Sequence, residues 1–246
     1  MSFFKTDTSL ISRLKFIMQH QKYQINDMKQ PINIETWNRK AHYLFFSQFE
    51  EPFFGVTINI DCTKAYGYAK ANKISFFLVY LYRALKAANE IEAFRYRIVD
   101  EEVFVFDQVN VSATINRADE TFGFAYIDYN QIETAFYANA NEVIDGVKQG
   151  TGLFPAVSGE NVIHCSALPW INFSSVSHAR CFSFNDSSPK ISFGKITEHA
   201  GIKTMPVAIH VHHGLMDGYH VGLYADRFQE LMDTDIADSN HLLINM

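Results

Sequence analysis

The chain has 246 residues, of which 48% are hydrophobic and 20% charged, so it can form one sizeable core and is not disordered, collagen-like or coiled-coil. Its formal net charge of −6 gives no general attraction to nucleic acid or to an anionic membrane, and we expect neither as a partner. Three cysteines without a CxxC pattern argue against a disulfide framework or a structural zinc site and indicate a reducing, cytoplasmic location.

The predicted elements follow an N-terminal extension. Residues 1–31 are mixed and polar, and we assign them to an extension without chemistry. Residues 32–246 contain no repeat and no Gly/Ser linker, so we assign them to a single domain. A helix is predicted at 35–48 and an alternating strand at 53–60. The helix predicted at 76–93 is apolar almost all round, which indicates that it is buried.

The rest of the chain alternates between strands and helices. Further strands are predicted at 92–98, 103–109, 111–116, 121–129, 161–166, 190–197 and 205–213. An amphipathic helix is predicted at 131–148 and a last helix at 219–232. This order predicts an α/β fold of the α+β two-layer sandwich type, in which a mixed sheet packs against helices.

The most informative segment is the histidine-rich strand at 205–213, which a Gly-Leu-Met-Asp-Gly turn connects to the last helix. Strand side chains alternate, so His210 and His212 point to one face and His213 to the other. A zinc site would need ligands from both faces, so no metal is expected, although a metal-dependent hydrolase stays an alternative. A single imidazole can act as a general base near neutral pH. An exposed histidine pair before an ordinary Asp-Gly turn is the simpler reading.

The run from His212 to Gly218 fits the pattern HHxxxDG. This motif resembles the signature of CoA-dependent acyltransferases of the chloramphenicol acetyltransferase type. The resemblance extends to Trp37-Asn38-Arg39, Leu153-Phe154-Pro155 and Ser166-Ala167-Leu168-Pro169-Trp170, and it covers about residues 34–233. Peptide-synthetase condensation domains share the motif but are much longer, and dihydrolipoyl acyltransferases carry an arginine beside the catalytic histidine.

The resemblance implies a role for each motif residue. His213 would remove the proton of an acceptor hydroxyl, whose oxygen would attack the thioester of acetyl-CoA directly, and the imidazole tautomer would be held partly by the residue's own carbonyl. Ser166 would donate to the oxyanion, with a strand-end cap as the alternative reading. Asp217 would pair with Arg39 and support the turn.

The resemblance also implies the binding residues. Those expected to contact the acceptor or the reaction intermediate are Phe45, Phe46, Phe154, Trp170 and Ser192. Plain core packing is the alternative for the phenylalanines. Lys195 is the expected contact to acetyl-CoA, while Ile196 replaces an aromatic residue that can stack on adenine. Phe46 replaces a tyrosine and Glu50 adds a charge, so the identity of the acceptor stays open.

The resemblance finally implies an assembly and an activity. We expect a homotrimer with active sites between subunits, which acetylates chloramphenicol and thereby confers antibiotic resistance. Two alternatives stay open. One is a CoA-dependent acyltransferase of the same fold that acts on another hydroxylated small molecule, and the other is a catalytically silent small-molecule binder.

Overall fold

The computed structural model describes residues 29–154, 159–180 and 186–234. The strands in these ranges are β1 (Lys29–Pro31), β2 (Phe53–Asp61), β3 (Tyr96–Val99), β4 (Glu102–Phe106), β5 (Asn110–Asn116), β6 (Phe122–Ile127), β7 (Val162–Ala167), β8 (Lys190–Phe193), β9 (Thr197–His199) and β10 (Ile202–His212). The α-helices are α1 (Lys40–Phe46), α2 (Thr63–Ala71), α3 (Phe76–Glu90), α4 (Glu133–Gln149) and α5 (Gly218–Asp233). None of these helices is both long and apolar enough to cross a membrane.

The main sheet has the strand order β2-β10-β8-β7-β5-β6, with β9 added beside β10. β7 pairs in parallel with β5 and with β8, whereas the other pairs are antiparallel. A separate small sheet has the order β1-β4-β3. The predicted α/β fold with a mixed sheet is therefore confirmed.

The two faces of the main sheet differ in character. One face carries apolar side chains such as Ile209 and Phe193, which are buried. Helices cover this face, since the Phe193 ring centroid lies 4.6 Å from Tyr80 of α3 and 6.2 Å from Phe228 of α5. Because strand side chains alternate, the intervening residues point to the opposite face, which carries many polar groups. We call this opposite side the polar face.

A buried arginine joins the small sheet to the main one. Arg97 of β3 is 1% exposed and donates to the carbonyl oxygens of Phe94 at 2.9 Å, Tyr96 at 2.6 Å and Val162 at 2.8 Å. Burial lowers the pKa of the Arg97 guanidinium to about 9. Its carbonyl partners offset the loss of hydration, so the side chain fixes β3 against the start of β7.

Three predicted elements need correction. The helix predicted at 35–48 is confined to α1, because residues 33–39 form turns that begin where the Asn33 side chain accepts from the Glu35 N–H at 3.0 Å. The strand predicted at 92–98 begins as a 3₁₀ helix over Glu92–Arg95. The strand predicted at 190–197 is divided into β8 and β9, because the chain bends at Gly194, where a Cβ would lie 2.6 Å from Pro206.

The predicted N-terminal extension is described only at its end. Lys29–Pro31 forms β1 and pairs antiparallel with β4. Residues 1–28 lie outside the described residues. The division into an extension and a single domain therefore stays a prediction.

A glycine allows a histidine ring to lie across the sheet. Gly55 of β2 pairs with His210 of β10, and a Cβ on Gly55 would lie 2.3 Å from the His210 imidazole. The ring of His178 packs against His210 at a centroid distance of 4.8 Å and an angle of 86°. The imidazole is thus held between β2 and the segment after β7, and a methyl group at residue 55 would displace it.

We expect Gly55→Ala to lower the free energy of unfolding by about 1–3 kcal/mol, because the added carbon overpacks this contact. Gly67→Ala is the control, since Gly67 lies in α2 with no atom near its Cβ position. That change should raise stability by about 0.5–1 kcal/mol through helix propensity. Denaturant unfolding of both variants checks this, and equal effects would contradict the packing argument.

Candidate active site

His213 is held at the end of β10 by its backbone and by two aromatic rings. Its N–H donates to the Pro52 carbonyl at 2.8 Å. Its imidazole stacks on Phe46 of α1 with a centroid distance of 4.0 Å and an interplanar angle of 13°. Phe54 of β2 lies 4.5 Å away. The plane of the ring is therefore fixed by packing.

The two ring nitrogens of His213 have different surroundings. Nδ1 is buried and has no hydrogen-bond partner within the described part of the chain. The carbonyl of His213, which the resemblance assigns to the ring, instead accepts from Nη2 of Arg39 at 3.2 Å. Nε2, in contrast, is not among the buried atoms without a partner.

The expected pair between Arg39 and Asp217 is present. Nη1 of Arg39 donates to Oδ2 of Asp217 at 2.7 Å, and the Arg39 side chain is 9% exposed. The same guanidinium thus contacts both the carbonyl of His213 and the carboxylate four residues later. The pair therefore fixes the turn between β10 and α5, and with it the position of the imidazole.

Asp217 also begins α5. Its Oδ1 accepts from the N–H of Tyr219 at 3.1 Å and lies 2.9 Å from Nδ1 of His220. Partial burial raises the pKa of the Asp217 carboxyl, but the hydrogen bonds with Arg39 and His220 outweigh this effect and lower it to about 2. The carboxylate is therefore charged throughout the neutral range.

His212 has a structural place. It points away from His213, and its ring lies near Phe53, the residue opposite it on β2. Its Nδ1 accepts from the N–H of Gly214 at 3.1 Å, and burial lowers its pKa to about 4. The neutral ring therefore supports the turn. Across residues 29–154, 159–180 and 186–234, no group of three or more His, Cys, Asp or Glu side chains is arranged to hold a metal ion.

Ser166 lies on the polar face near the end of β7. Its partner on β8 is Ser192, so the two hydroxyl groups lie side by side on the same face. Ser166 is half-buried. Ser192 is fully buried, and its Oγ makes no hydrogen bond to any described residue. The half-buried hydroxyl group of Ser166 is therefore the one of the pair that a bound molecule can contact.

The structure does not bring Ser166 and His213 together within one chain. Ser166 lies level with Ser192 and with Ala208 of β10. His213 follows Ala208 by five residues, which places it about 16 Å along the strand and about 10 Å across two strand spacings. The side chains of Ala208 and His213 also alternate to opposite faces, so a single chain holds two separated halves.

The expected binding residues divide between these halves. Phe46 stacks on His213, and Phe45 lies next to it, 59% exposed. Phe154 belongs to the other half, since it stacks on Phe124 of β6, whose partner Thr114 lies on the polar face. Trp170 follows β7 and is 65% exposed. The N–H of Lys195 donates to the carbonyl of Ile171, the next residue, at 2.8 Å. Trp170 and Lys195 therefore lie beyond the end of the sheet that carries Ser166.

A cavity of about 310 Å³ opens beside the Ser166 half, at the ends of β5 and β7. Its lining includes Phe77 and Leu78 of α3, Ile144 and Lys148 of α4, Ala167 and Trp170. Ala167 follows Ser166 directly, so the cavity reaches the strand end that carries the serine.

Three contacts of this site are absent from the sequence analysis. His220 had a usable signal, since the spacing Asp217-x-x-His220 matches a capping box. The Phe54 ring and the Pro52 carbonyl had none, because both reach His213 only through the pairing of β2 with β10.

Comparisons with known proteins agree with this geometry. The family model described as chloramphenicol acetyltransferase matches residues 28–229. Chloramphenicol acetyltransferase 3 of Escherichia coli is 30% identical over 83% of this chain and 97% of its own length. Chloramphenicol acetyltransferase of Bacillus pumilus is 30% identical over 85% of this chain and 97% of its own. A solved chloramphenicol acetyltransferase structure has a TM-score of 0.78 and 33% identity, and the match covers 84% of this chain and all of that one.

The family model spans most of the chain, including the segment from His212 to Gly218 that carries the motif, and both relatives cover more than four fifths of the chain. The predicted resemblance is therefore confirmed, and the chain belongs to the chloramphenicol acetyltransferase family of transferases.

Proposed function

We propose that this protein transfers the acetyl group of acetyl-CoA to a hydroxyl group of chloramphenicol. The observation that carries this proposal is the held imidazole of His213, whose turn is fixed by the Arg39–Asp217 pair, in a chain of this family. Turnover of chloramphenicol in an assay of thiol release from acetyl-CoA tests it directly.

The active site would form between subunits of a homotrimer. The separation of His213 and Ser166 within one chain supports this arrangement, because each half can be completed only by another copy. In a closed ring, the His213 half of each subunit can contact the Ser166 half of the next subunit, so that every half belongs to a complete site. We propose a ring of three copies. Exposed aromatic residues on both halves, such as Phe45 and Phe154, would be covered in it.

The reaction follows from this arrangement. Nε2 of His213 takes the proton of the acceptor hydroxyl while the oxygen attacks the thioester carbonyl carbon. Ser166 of the adjoining subunit donates to the oxyanion of the tetrahedral intermediate, and a donor of this kind accelerates such reactions by about 10²–10³-fold. Collapse of the intermediate breaks the carbon–sulfur bond, and the proton passes from His213 to the leaving thiolate, which gives free CoA.

The cavity next to Ser166 would hold the chain of acetyl-CoA. Its apolar lining from α3 and α4 suits an extended pantetheine arm, and Lys148 adds a positive charge for phosphate. Lys195, expected as a CoA contact, lies at the same end of the sheet, near Trp170. If acetyl-CoA enters through this cavity, the polar face of the sheet stays free, and the acceptor can bind there next to Ser166.

The cell compartment follows from the co-substrate. Acetyl-CoA is a cytoplasmic metabolite, and Cys62 and Cys165 are buried free thiols, while Cys181 lies outside the described residues. We therefore assign the reaction to the cytoplasm. Acetylation there would give resistance to chloramphenicol, which growth of a host strain on the antibiotic would reveal.

Another hydroxylated acceptor is the second candidate. The half-buried polar side chains of Ser112 and His164 on the face that carries Ser166 favour an acceptor with further polar groups. Thiol release with such an acceptor but not with chloramphenicol would select this reading. A silent binder would bind ligand equally well after His213→Ala and turn over no acceptor in the wild type.

We expect His213→Ala to lower kcat for chloramphenicol by about 10²–10⁴-fold, because the acceptor loses its general base. The Michaelis constant for acetyl-CoA should change little. His199→Ala, an exposed histidine on β9, is the matched control and should retain wild-type turnover. A variant at residue 213 that keeps most of its activity would contradict the mechanism.

Mixing two weak variants tests the site between subunits. His213→Ala and Ser166→Ala should each be poor alone, whereas trimers that contain both variants should recover about one third of wild-type activity, since one of the three junctions in every mixed ring joins an intact His213 to an intact Ser166. The measurement is turnover of assemblies purified through one tag on each variant. No recovery above the sum of the separate variants would argue for a site within one chain.

Asp217→Asn isolates the ion pair, because asparagine still caps a helix. We expect a loss of about 1–3 kcal/mol in unfolding free energy, since the buried Arg39 loses its counter-charge, together with a lower kcat. Asp226→Asn, exposed on the same helix, should leave both unchanged. An Asp217→Asn protein with normal stability and normal kcat would show that the pair does not position His213.

A further inference from the structure

The polar face beside Ser166 carries a continuous row of polar side chains. His164 of β7 lies level with Lys190 of β8 and with Ser112 of β5. On β10 the same row continues to His210. The row lies two residues from Ser166 along β7, which corresponds to about 7 Å on the same face.

His164 is the histidine of this row that shares a strand with Ser166. It is half-buried, and within the described residues its ring is influenced by burial and by neighbouring charges rather than by a hydrogen bond. Ser112, its neighbour on β5, is also half-buried. Polar groups in such a position are normally hydrogen-bonded, so an unused imidazole next to Ser166 is a candidate contact for the acceptor.

The charged side chains of Lys190 and Asp186 lie near His164 and influence which groups it can bind. The amine of Lys190 lies 2.5 Å from Asp186, and both side chains are largely buried. Burial and the positive charge of Lys190 lower the pKa of His164 to about 4, so the ring is neutral at pH 7. A neutral ring offers one N–H donor, and the adjoining amine favours an electron-rich partner for it.

We propose that His164 is a specificity-determining residue, which donates a hydrogen bond to an oxygen of the acceptor about 7 Å from the hydroxyl that is acetylated. This inference rests on the proposed function, because it places the acceptor over the polar face beside Ser166. The group recognised is a neutral or anionic oxygen acceptor, such as a carbonyl, nitro or carboxylate group.

The test compares two acceptors that differ in one group. Chloramphenicol and its analogue without the aromatic nitro group are assayed with wild type and with His164→Leu. The wild type should prefer chloramphenicol by about tenfold or more in kcat/KM, since a site built for a hydrogen bond rejects a molecule that lacks it. His164→Leu should lose most of this preference and keep its Michaelis constant for acetyl-CoA.

Two further variants serve as controls for this comparison. His164→Asn keeps a donor of smaller size and should retain part of the preference, and it replaces the leucine variant if that one does not fold. His199→Leu makes the same change at an exposed position on β9 and should keep the full preference. A preference in both His164 variants equal to that of the wild type would overturn the inference.

Binding separates this inference from the proposed reaction. Calorimetric titration of both acceptors is performed without acetyl-CoA. If the wild type binds chloramphenicol but does not acetylate it, the proposed function fails, and loss of the binding preference in His164→Leu still supports the inference. If the wild type neither binds nor acetylates either molecule, both are overturned.

Discussion

The alternation of side chains along β-strands governs how this molecule can form a catalytic site. Ser166 lies near the end of β7 and His213 follows the end of β10. Because these two strands run in opposite directions, the two residues lie at opposite ends of the sheet, and their side chains alternate to opposite faces. The two residues cannot be brought closer by a shift in strand register, because a shift of one residue would move all the apolar side chains of a strand to the solvent face. Under the proposed mechanism, a reaction that needs both groups therefore requires a second copy of the chain.

The Arg39–Asp217 pair positions the half of the site that contains His213. Arg39 directly precedes α1, and Asp217 directly precedes α5, so one contact of 2.7 Å connects both helix starts to the turn that carries His213. Phe46 lies at the end of α1 and stacks on the imidazole, so the same helix contributes both the anchor and the packing surface. A buried guanidinium is costly without a partner, and this cost makes the arrangement specific.

Sequence reasoning succeeded where the determinants are local. The strand, turn and helix around His213 follow from residues that are close along the chain, whereas the capping of α5 by Asp217 was not predicted, although its signal is equally local. The contact between Arg39 and Asp217 spans 178 residues and was expected only through the family resemblance. The break between β8 and β9 depends on how closely Gly194 approaches Pro206, and no periodicity records such an approach. The alignment of His164 with Ser166 and Lys190 likewise needs the strand register.

The buried polar groups of the polar face do not add to the stability of the fold. A buried ion pair such as Lys190 with Asp186 generally adds little to folding, since desolvation cancels much of the attraction, and apolar residues of similar size would serve as well. Ser192 Oγ, His178 Nε2 and His210 Nδ1 are also buried without partners among the described residues. Unpaired buried polar atoms cost about 1–3 kcal/mol each, so this face is less stable than an apolar one would be. The half-buried polar side chains of the same face, such as Ser166 and His164, can form hydrogen bonds with a polar molecule, whereas an apolar molecule would remove them from water without replacing those bonds. The features that weaken the fold here therefore favour a polar acceptor, and they lie on the same face as the serine proposed to stabilise its reaction.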